Sequence, residues 1–178
     1  MNYQDITAQT IKEGAWNEKT CVRREGGYDV DKATLPADMA YLPKGAVMAI
    51  NPTTGVAALV HTAKVHAAAT SATAIQVEKG HSLKVGDAVL ETTITAINTS
   101  NTAYDVLTLA AAKSATLGQV IATATANVAG LNYATVKVDA FPTCTITVQA
   151  YEIDEASLPF PVNADIKQAL TPRHAFKI

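Results

Sequence analysis

The clearest pattern in the chain is an alternation of period two toward its C-terminal end. Val136, Val138 and Ala140 fall on one side, with Thr135, Lys137 and Asp139 on the other. After Phe141-Pro142 the pattern resumes. Cys144, Ile146, Val148 and Ala150 form one face, and Thr143, Thr145, Thr147 and Gln149 form the other. Strict alternation of this kind predicts strands with one buried and one wet face. Upstream, Ala46 to Ile50 and Val56 to Val60 are short apolar runs flanking Asn51-Pro52-Thr53-Thr54-Gly55, a stretch dense in turn residues, so they predict a hairpin. Further strands are expected over Ala74–Glu78, Leu83–Val85, Val89–Ile97, Tyr104–Leu109 and Gly118–Thr123. Gly and Asn-rich connections separate them. Asn163 to Ala169 offers one short helix with Asn163 as its cap. About nine strands with turn signals every eight to twelve residues predict an all-β fold, a sandwich or a barrel.

Two regions depart from this pattern. Between Lys64 and Asn127 the strands shorten and Ala and Thr dominate. That shift predicts a small β-module inserted in a main β-domain, with the module over 64–127 and the main domain over 37–63 and 128–178; a single continuous sheet is the other reading. The first forty residues hold 12 of the 30 charged side chains and no sustained period. Residues 1–36 therefore read as an extended N-terminal arm, either packed on another surface or flexible.

Composition narrows the function. The chain has 178 residues, a net charge of −2 and 17% charged residues, which is poor in the basic surface that phosphate-neutralising nucleic-acid binders need. With 48% hydrophobic residues it is no disordered chain. There are 33 Ala, 23 Thr and 16 Val, about two-fifths of the total, so the core is thin and strand-rich. That thinness favours burial between subunits. The uncharged stretch from Ser114 to Val136 is long enough to span a bilayer. Its Thr, Asn and Gln would be stranded in lipid, so it reads as β-structure and no membrane partner is expected. No secretory signal is visible in the first residues, and Cys21 and Cys144 are expected to be free thiols, Cys144 buried.

Catalytic patterns are missing. The chain contains no phosphate-binding glycine loop, no nucleophile elbow and no H-E-x-x-H. His61 and His66 are five apart, which fits neither a strand face nor a helix face, and His81 reads as a solvated turn residue. Asp29, Asp31 and Asp38, and likewise Glu152, Asp154 and Glu155, lack the spacing of a calcium loop and any sign of pKa tuning. The expectation is a non-enzyme with no metal and no cofactor.

Against that background the turn pattern resembles a family. Leu42-Pro43-Lys44-Gly45-Ala46-Val47-Met48-Ala49-Ile50 with Thr54-Gly55-Val56 is similar to the opening of phage head decoration proteins. Ile75-Gln76-Val77, then Gly80-His81-Ser82-Leu83-Lys84-Val85-Gly86-Asp87, resembles a segment of the head-fibre and auxiliary capsid proteins of tailed phages. Ile94-Thr95-Ala96-Ile97, Tyr104–Leu109 and Leu158-Pro159-Phe160-Pro161 continue the pattern. The resemblance covers roughly Leu42 to Ile178. It implies a virion structural protein on the outer capsid surface, assembled in the host cytoplasm, commonly a homotrimer, that binds the major capsid protein. If the arm grips the shell, its contact candidates are Trp16, the largest apolar side chain there, Arg23 and Arg24, with their planar ion-pairing forks, and Tyr28; the other reading is that Trp16 covers this protein's own β-body. A carbohydrate-binding β-module on a phage or cell surface is the alternative. It needs exposed aromatics, and Trp16 is the only Trp.

Overall fold

The computed structural model describes residues 15–24 and 27–177. Thr7 to Gly14, whose sequence offers one helical turn or two ended by Gly14, lies outside them. The chain is all-β. It divides into two compact units: residues 15–60, 125–160 and 164–177 form the first, and residues 61–124 with 161–163 form the second.

The first unit begins with five short strands: β1 (Val22–Arg23), β2 (Tyr28–Asp29), β3 (Tyr41–Leu42), β4 (Val47–Ile50) and β5 (Ala57–Leu59). The expected hairpin is present as β4 against β5, Met48 opposite Leu59 and Ile50 opposite Ala57. Its turn uses Gly55 at φ +72°, and Asn51 Oδ1 accepts from the Thr53 amide at 2.9 Å.

The second unit carries β6 (Thr62–Lys64), β7 (Ala69–Glu78), β8 (Ala88–Val89), β9 (Thr92–Asn98), β10 (Tyr104–Ala115) and β11 (Val120–Ala122). Its main sheet has the order β7-β10-β9-β8. Ile75, Val77, Ile94 and Leu107 are fully buried in its core. The run Val89–Ile97, expected as one strand, is two. Leu90 and Glu91 both take positive φ, 50° and 60°, and fold the chain into a two-residue hairpin with Val89 opposite Thr92. Such turns favour Asn-Gly, so Leu-Glu carries no visible turn signal.

The chain then returns to the first unit with β12 (Val128–Leu131), β13 (Val136–Lys137), β14 (Thr143–Cys144), β15 (Thr147–Ile153), the helix α1 (Ala164–Leu170) and β16 (His174–Phe176). The sheets here are small: β12-β4-β5, β1-β15-β16 and the pairs β13-β3 and β14-β2. Among the described residues no sheet closes into a barrel. Among the described residues sixteen strands, most of them short, replace the expected nine, because left-handed residues and changes of partner interrupt the runs. The run from Thr143 to Ala150 is one such case. Its first two residues pair with β2, Ile146 bridges to Asn132, and Thr147 onward belongs to β15. Cys144, Ile146 and Ala150 are buried as the alternation predicts; Thr147, assigned to the wet face, is buried too. Its hydroxyl accepts the Leu131 amide at 3.0 Å and bonds His174 Nε2 at 2.9 Å, which satisfies it without water. Cys144 is a free thiol that burial pushes up to about 11, so it behaves as a small hydrophobe. Cys21 is also free.

The expected separate arm needs correction for its described part. Residues 15–24 and 27–36 are built into the first unit. Val22 pairs with Gln149, Tyr28 with Cys144, and the Asn17 amide donates to the Tyr151 carbonyl at 3.1 Å. Trp16, Val30 and Leu35 are buried. Charge density misled here: the charged side chains point outward while the apolar residues between them complete a thin core that lacks large side chains of its own.

Candidate functional site

Three segments distant in sequence converge around the Leu42–Ala46 turn. Gly45 takes φ +85°, and a Cβ on it would lie 3.0 Å from Pro159 Cδ and 3.1 Å from Leu158 Cδ2. The Leu-Pro-x-Gly turn and the Leu-Pro-Phe-Pro segment therefore pack directly, and only glycine fits between them. Asn132, fully buried, clamps the turn. Its Nδ2 donates to the carbonyls of Pro43 at 2.9 Å, Leu42 at 3.2 Å and Ala134 at 2.7 Å. The turn thereby points Lys44 at two aromatic rings. Lys44 Nζ sits 4.6 Å from the Trp16 ring centroid and 5.8 Å from that of Tyr133, and it forms an ion pair with Glu18. Slight burial pushes the Glu18 carboxyl up, but the hydrogen bond and charge of Lys44 more than reverse this and hold it below its ordinary 4.5.

Arg23 reaches the same aromatic pair from β1. Its guanidinium carbon lies 5.1 Å from the Tyr133 centroid, and the Trp16 and Tyr133 rings are 6.4 Å apart. The neighbouring Arg24 lies 5.6 Å over the Tyr28 ring. Both arginines are exposed, and neither forms an ion pair with a carboxylate among the described residues. Each planar cation thus lies over a tyrosine face. Of the four residues the sequence singled out, Trp16 and Arg23 share Tyr133, and Arg24 and Tyr28 make a separate pair. Trp16 is 3% exposed, so it forms the floor of this surface and is not an outward contact. Sequence reasoning missed Lys44, Tyr133, Glu18 and Asn132. Lys44 stood inside the quoted motif, where it read only as a turn residue. Tyr133 lies in an uncharged segment with nothing to mark it.

The second unit holds a polar cluster of its own. His61 Nδ1 faces the Ser82 carbonyl at 2.6 Å and Asp87 Oδ2 at 3.0 Å; both partners accept, so Nδ1 donates. Asp87 Oδ2 also accepts the Lys84 amide at 2.8 Å, which locks the Lys84–Asp87 turn. His81 Nε2 lies 3.4 Å from Asp105 Oδ2, and Lys79 forms an ion pair with the other oxygen. The His81 side chain is only 8% exposed, which corrects its reading as a solvated turn residue. Burial pushes its imidazole below the ordinary 6.5, against the pull of Asp105. Ser, His and Asp here do not make a hydrolytic triad. Ser82 is fully buried, its hydroxyl accepts the Thr62 amide at 2.9 Å, and it is the Ser82 carbonyl that the histidine faces. The Gly80–Asp87 segment thus holds the side chains of His81, Ser82 and Asp87 in mostly buried polar contacts, while Val85 is exposed. Among the described residues no three His, Cys, Asp or Glu side chains gather as a metal site, and no helix is long and apolar enough to cross a membrane.

No family model, curated protein or solved structure matches this chain.

Proposed function

We propose that the protein is a virion structural protein, a capsid auxiliary, decoration or head-fibre subunit that sits on the outer capsid surface of a tailed phage. In this reading it assembles in the host cytoplasm, forms a homotrimer and binds the major capsid protein. One observation carries the reading. The two segments at either end of the resemblance, Leu42–Gly45 and Leu158–Phe160, pack on each other through Gly45. The shared pattern therefore follows the residues on which the turn packing depends, as expected where a fold is the thing held in common. The polar clusters support the reading from another side, since each clasps a turn.

The same reading gives the surface a task. Arg23 and Arg24, preset on Tyr133 and Tyr28, take carboxylates of the shell, with the preceding Val22, 50% exposed, adding apolar contact. Exposed ion pairs weaken with salt, so binding by this surface is salt-dependent. The alternative reading, a carbohydrate-binding β-module on a phage or cell surface, needs exposed aromatics; Trp16 is buried, while Phe141 is exposed.

The test uses purified capsids stripped of the protein. A full-length Arg23→Glu/Arg24→Glu variant should fold normally but bind with affinity reduced on the order of tenfold, about 1.4 kcal/mol. Equal capsid occupancy by variant and wild type removes this surface from the contact. Absence of the protein from the mass spectrum of purified virions removes the function itself.

A further inference from the structure

The sheet order β1-β15-β16 leaves the outer side of β1 without a strand among the described residues. Pairing with β15 fixes what that side offers. Arg23 stands opposite Thr147, and the Arg24 amide donates to the Ile146 carbonyl at 3.0 Å. In an antiparallel ladder this makes Arg23 and Thr147 a non-hydrogen-bonded pair, so the amide and carbonyl of Arg23 point away from β15, toward the open edge. The register shift between Val22 and Arg23 places its extra residue on β15, at Val148, so β1 itself keeps its alternation.

That alternation sends the two arginines to opposite faces. The rings beneath them agree. Tyr28, under Arg24, pairs with Cys144 and packs against the core of the first unit. Tyr133, under Arg23, donates its amide to the Thr145 carbonyl at 2.7 Å, and Thr145 and Cys144 are consecutive, so they alternate too. Both guanidinium groups are exposed, and neither forms an ion pair with a carboxylate among the described residues. Two cations thus straddle one open edge, one on each face of the sheet.

A partner resting on either face reaches one arginine and is separated from the other by β1. An extended segment lying along the edge reaches both, because its successive side chains alternate between the same two faces. We propose that β1 accepts an extended acidic segment of a partner protein as an added strand. Its backbone bonds the outward amide and carbonyl of Arg23, and two neighbouring carboxylate side chains pair with Arg23 and Arg24 from opposite faces. The inference rests on the reading of these arginines as the contact surface, and it adds the form that the partner takes. Spacing is its signature. Carboxylates at consecutive positions meet both arginines, whereas carboxylates two apart share a face and meet one.

The test uses the full-length protein and two blocked hexapeptides of identical Thr, Val, Asp and Glu composition. One has its acidic residues adjacent, and the other has them two apart. At low salt the adjacent form should bind roughly threefold tighter or more, the effect of one added exposed ion pair. Arg24→Gln should erase that preference. Amide hydrogen exchange should slow at Arg23 on binding, while the Arg24 amide, already bonded to Ile146, serves as the internal control. No binding of either peptide at millimolar concentration, equal affinities, or an Arg23 amide unprotected at saturating peptide overturns the proposal. If capsid binding is lost in Arg23→Glu/Arg24→Glu but the peptides show no preference, strand addition fails and the shell stays as partner. A peptide preference with unchanged capsid occupancy supports strand addition and removes the shell.

Discussion

A Cβ on Gly130 would lie 2.0 Å from the Thr147 carbonyl oxygen and 2.7 Å from Ile146 Cγ2. This glycine is present for space alone, because its φ is one that any residue adopts. It lets β12 come against β15 closely enough for the Leu131 amide to reach the Thr147 hydroxyl. Gly130→Ala must drive two backbones apart in a packed core. The cost should exceed the usual 1–3 kcal/mol of overpacking, reaching about 3 kcal/mol or more. A urea midpoint within error of wild type would contradict this. Asn132 acts over a similar range: one side-chain amide ties the Leu42 and Pro43 carbonyls to its own segment, where it also reaches the Ala134 carbonyl. Neither residue stands out in the sequence. A glycine in a Thr- and Ala-rich run and an asparagine after an apolar pair both read as loop punctuation.

At the scale of elements, the N-terminal segment changes meaning most. Its charges and lack of period predict an arm, yet β1, β2 and Trp16 finish the first unit. Removing residues 1–36 takes Trp16, Val30 and Leu35 out of the core and uncovers the edges of β14 and β15. Burial of those three side chains alone stabilises by roughly 5 kcal/mol or more, a large part of the stability of a domain this size. The truncated protein should therefore lose the cooperative unfolding of the first unit, seen in its near-ultraviolet circular dichroism and amide dispersion. A truncated protein that unfolds as cooperatively as the intact chain would restore the arm. The hairpin β4–β5 and the helix α1 behave differently. Their signals are local, turn residues in one and a cap in the other, and both elements form where those signals stand.

At the scale of the whole molecule, each unit buries one histidine whose imidazole is held below its ordinary 6.5. His81 does so in the second unit and His174 in the first, burial being the main cause in both. His174 Nδ1 donates to the Leu170 carbonyl at 3.3 Å, and its Nε2 accepts the Thr147 hydroxyl, an arrangement that suits the neutral ring. The sign follows from linkage. Above 6.5 both rings are neutral, folded or unfolded, and the full stability is present. As the pH falls below 6.5 the unfolded chain takes up protons that the folded chain refuses, so stability declines toward the depressed folded values. Urea midpoints should therefore be lower in mildly acidic buffer than at neutral pH. His81→Gln should flatten part of that slope and His174→Gln another part. A midpoint unchanged between neutral pH and mildly acidic buffer would rule out both contributions.

The sequence alone determined what is written in local periods and local turns: the all-β class, the Asn51–Gly55 hairpin, the short helix after Asn163 and the buried side of Cys144, Ile146 and Ala150. These follow from side-chain alternation and from residues with restricted backbones, which act over a few positions. Tertiary structure decided the rest. It turned Leu90-Glu91 into a hairpin without glycine, buried Thr147 and the His81 side chain, and drew Trp16, Val30 and Leu35 into a core. It set Arg23, Lys44, Trp16 and Tyr133 side by side although they come from three separate stretches of chain. The physical reason is the same in each case. A conformational cost at one residue, a desolvated polar group or a charge laid on a ring is stabilised only by partners distant in the chain, and no pattern within a short window records which partners those are.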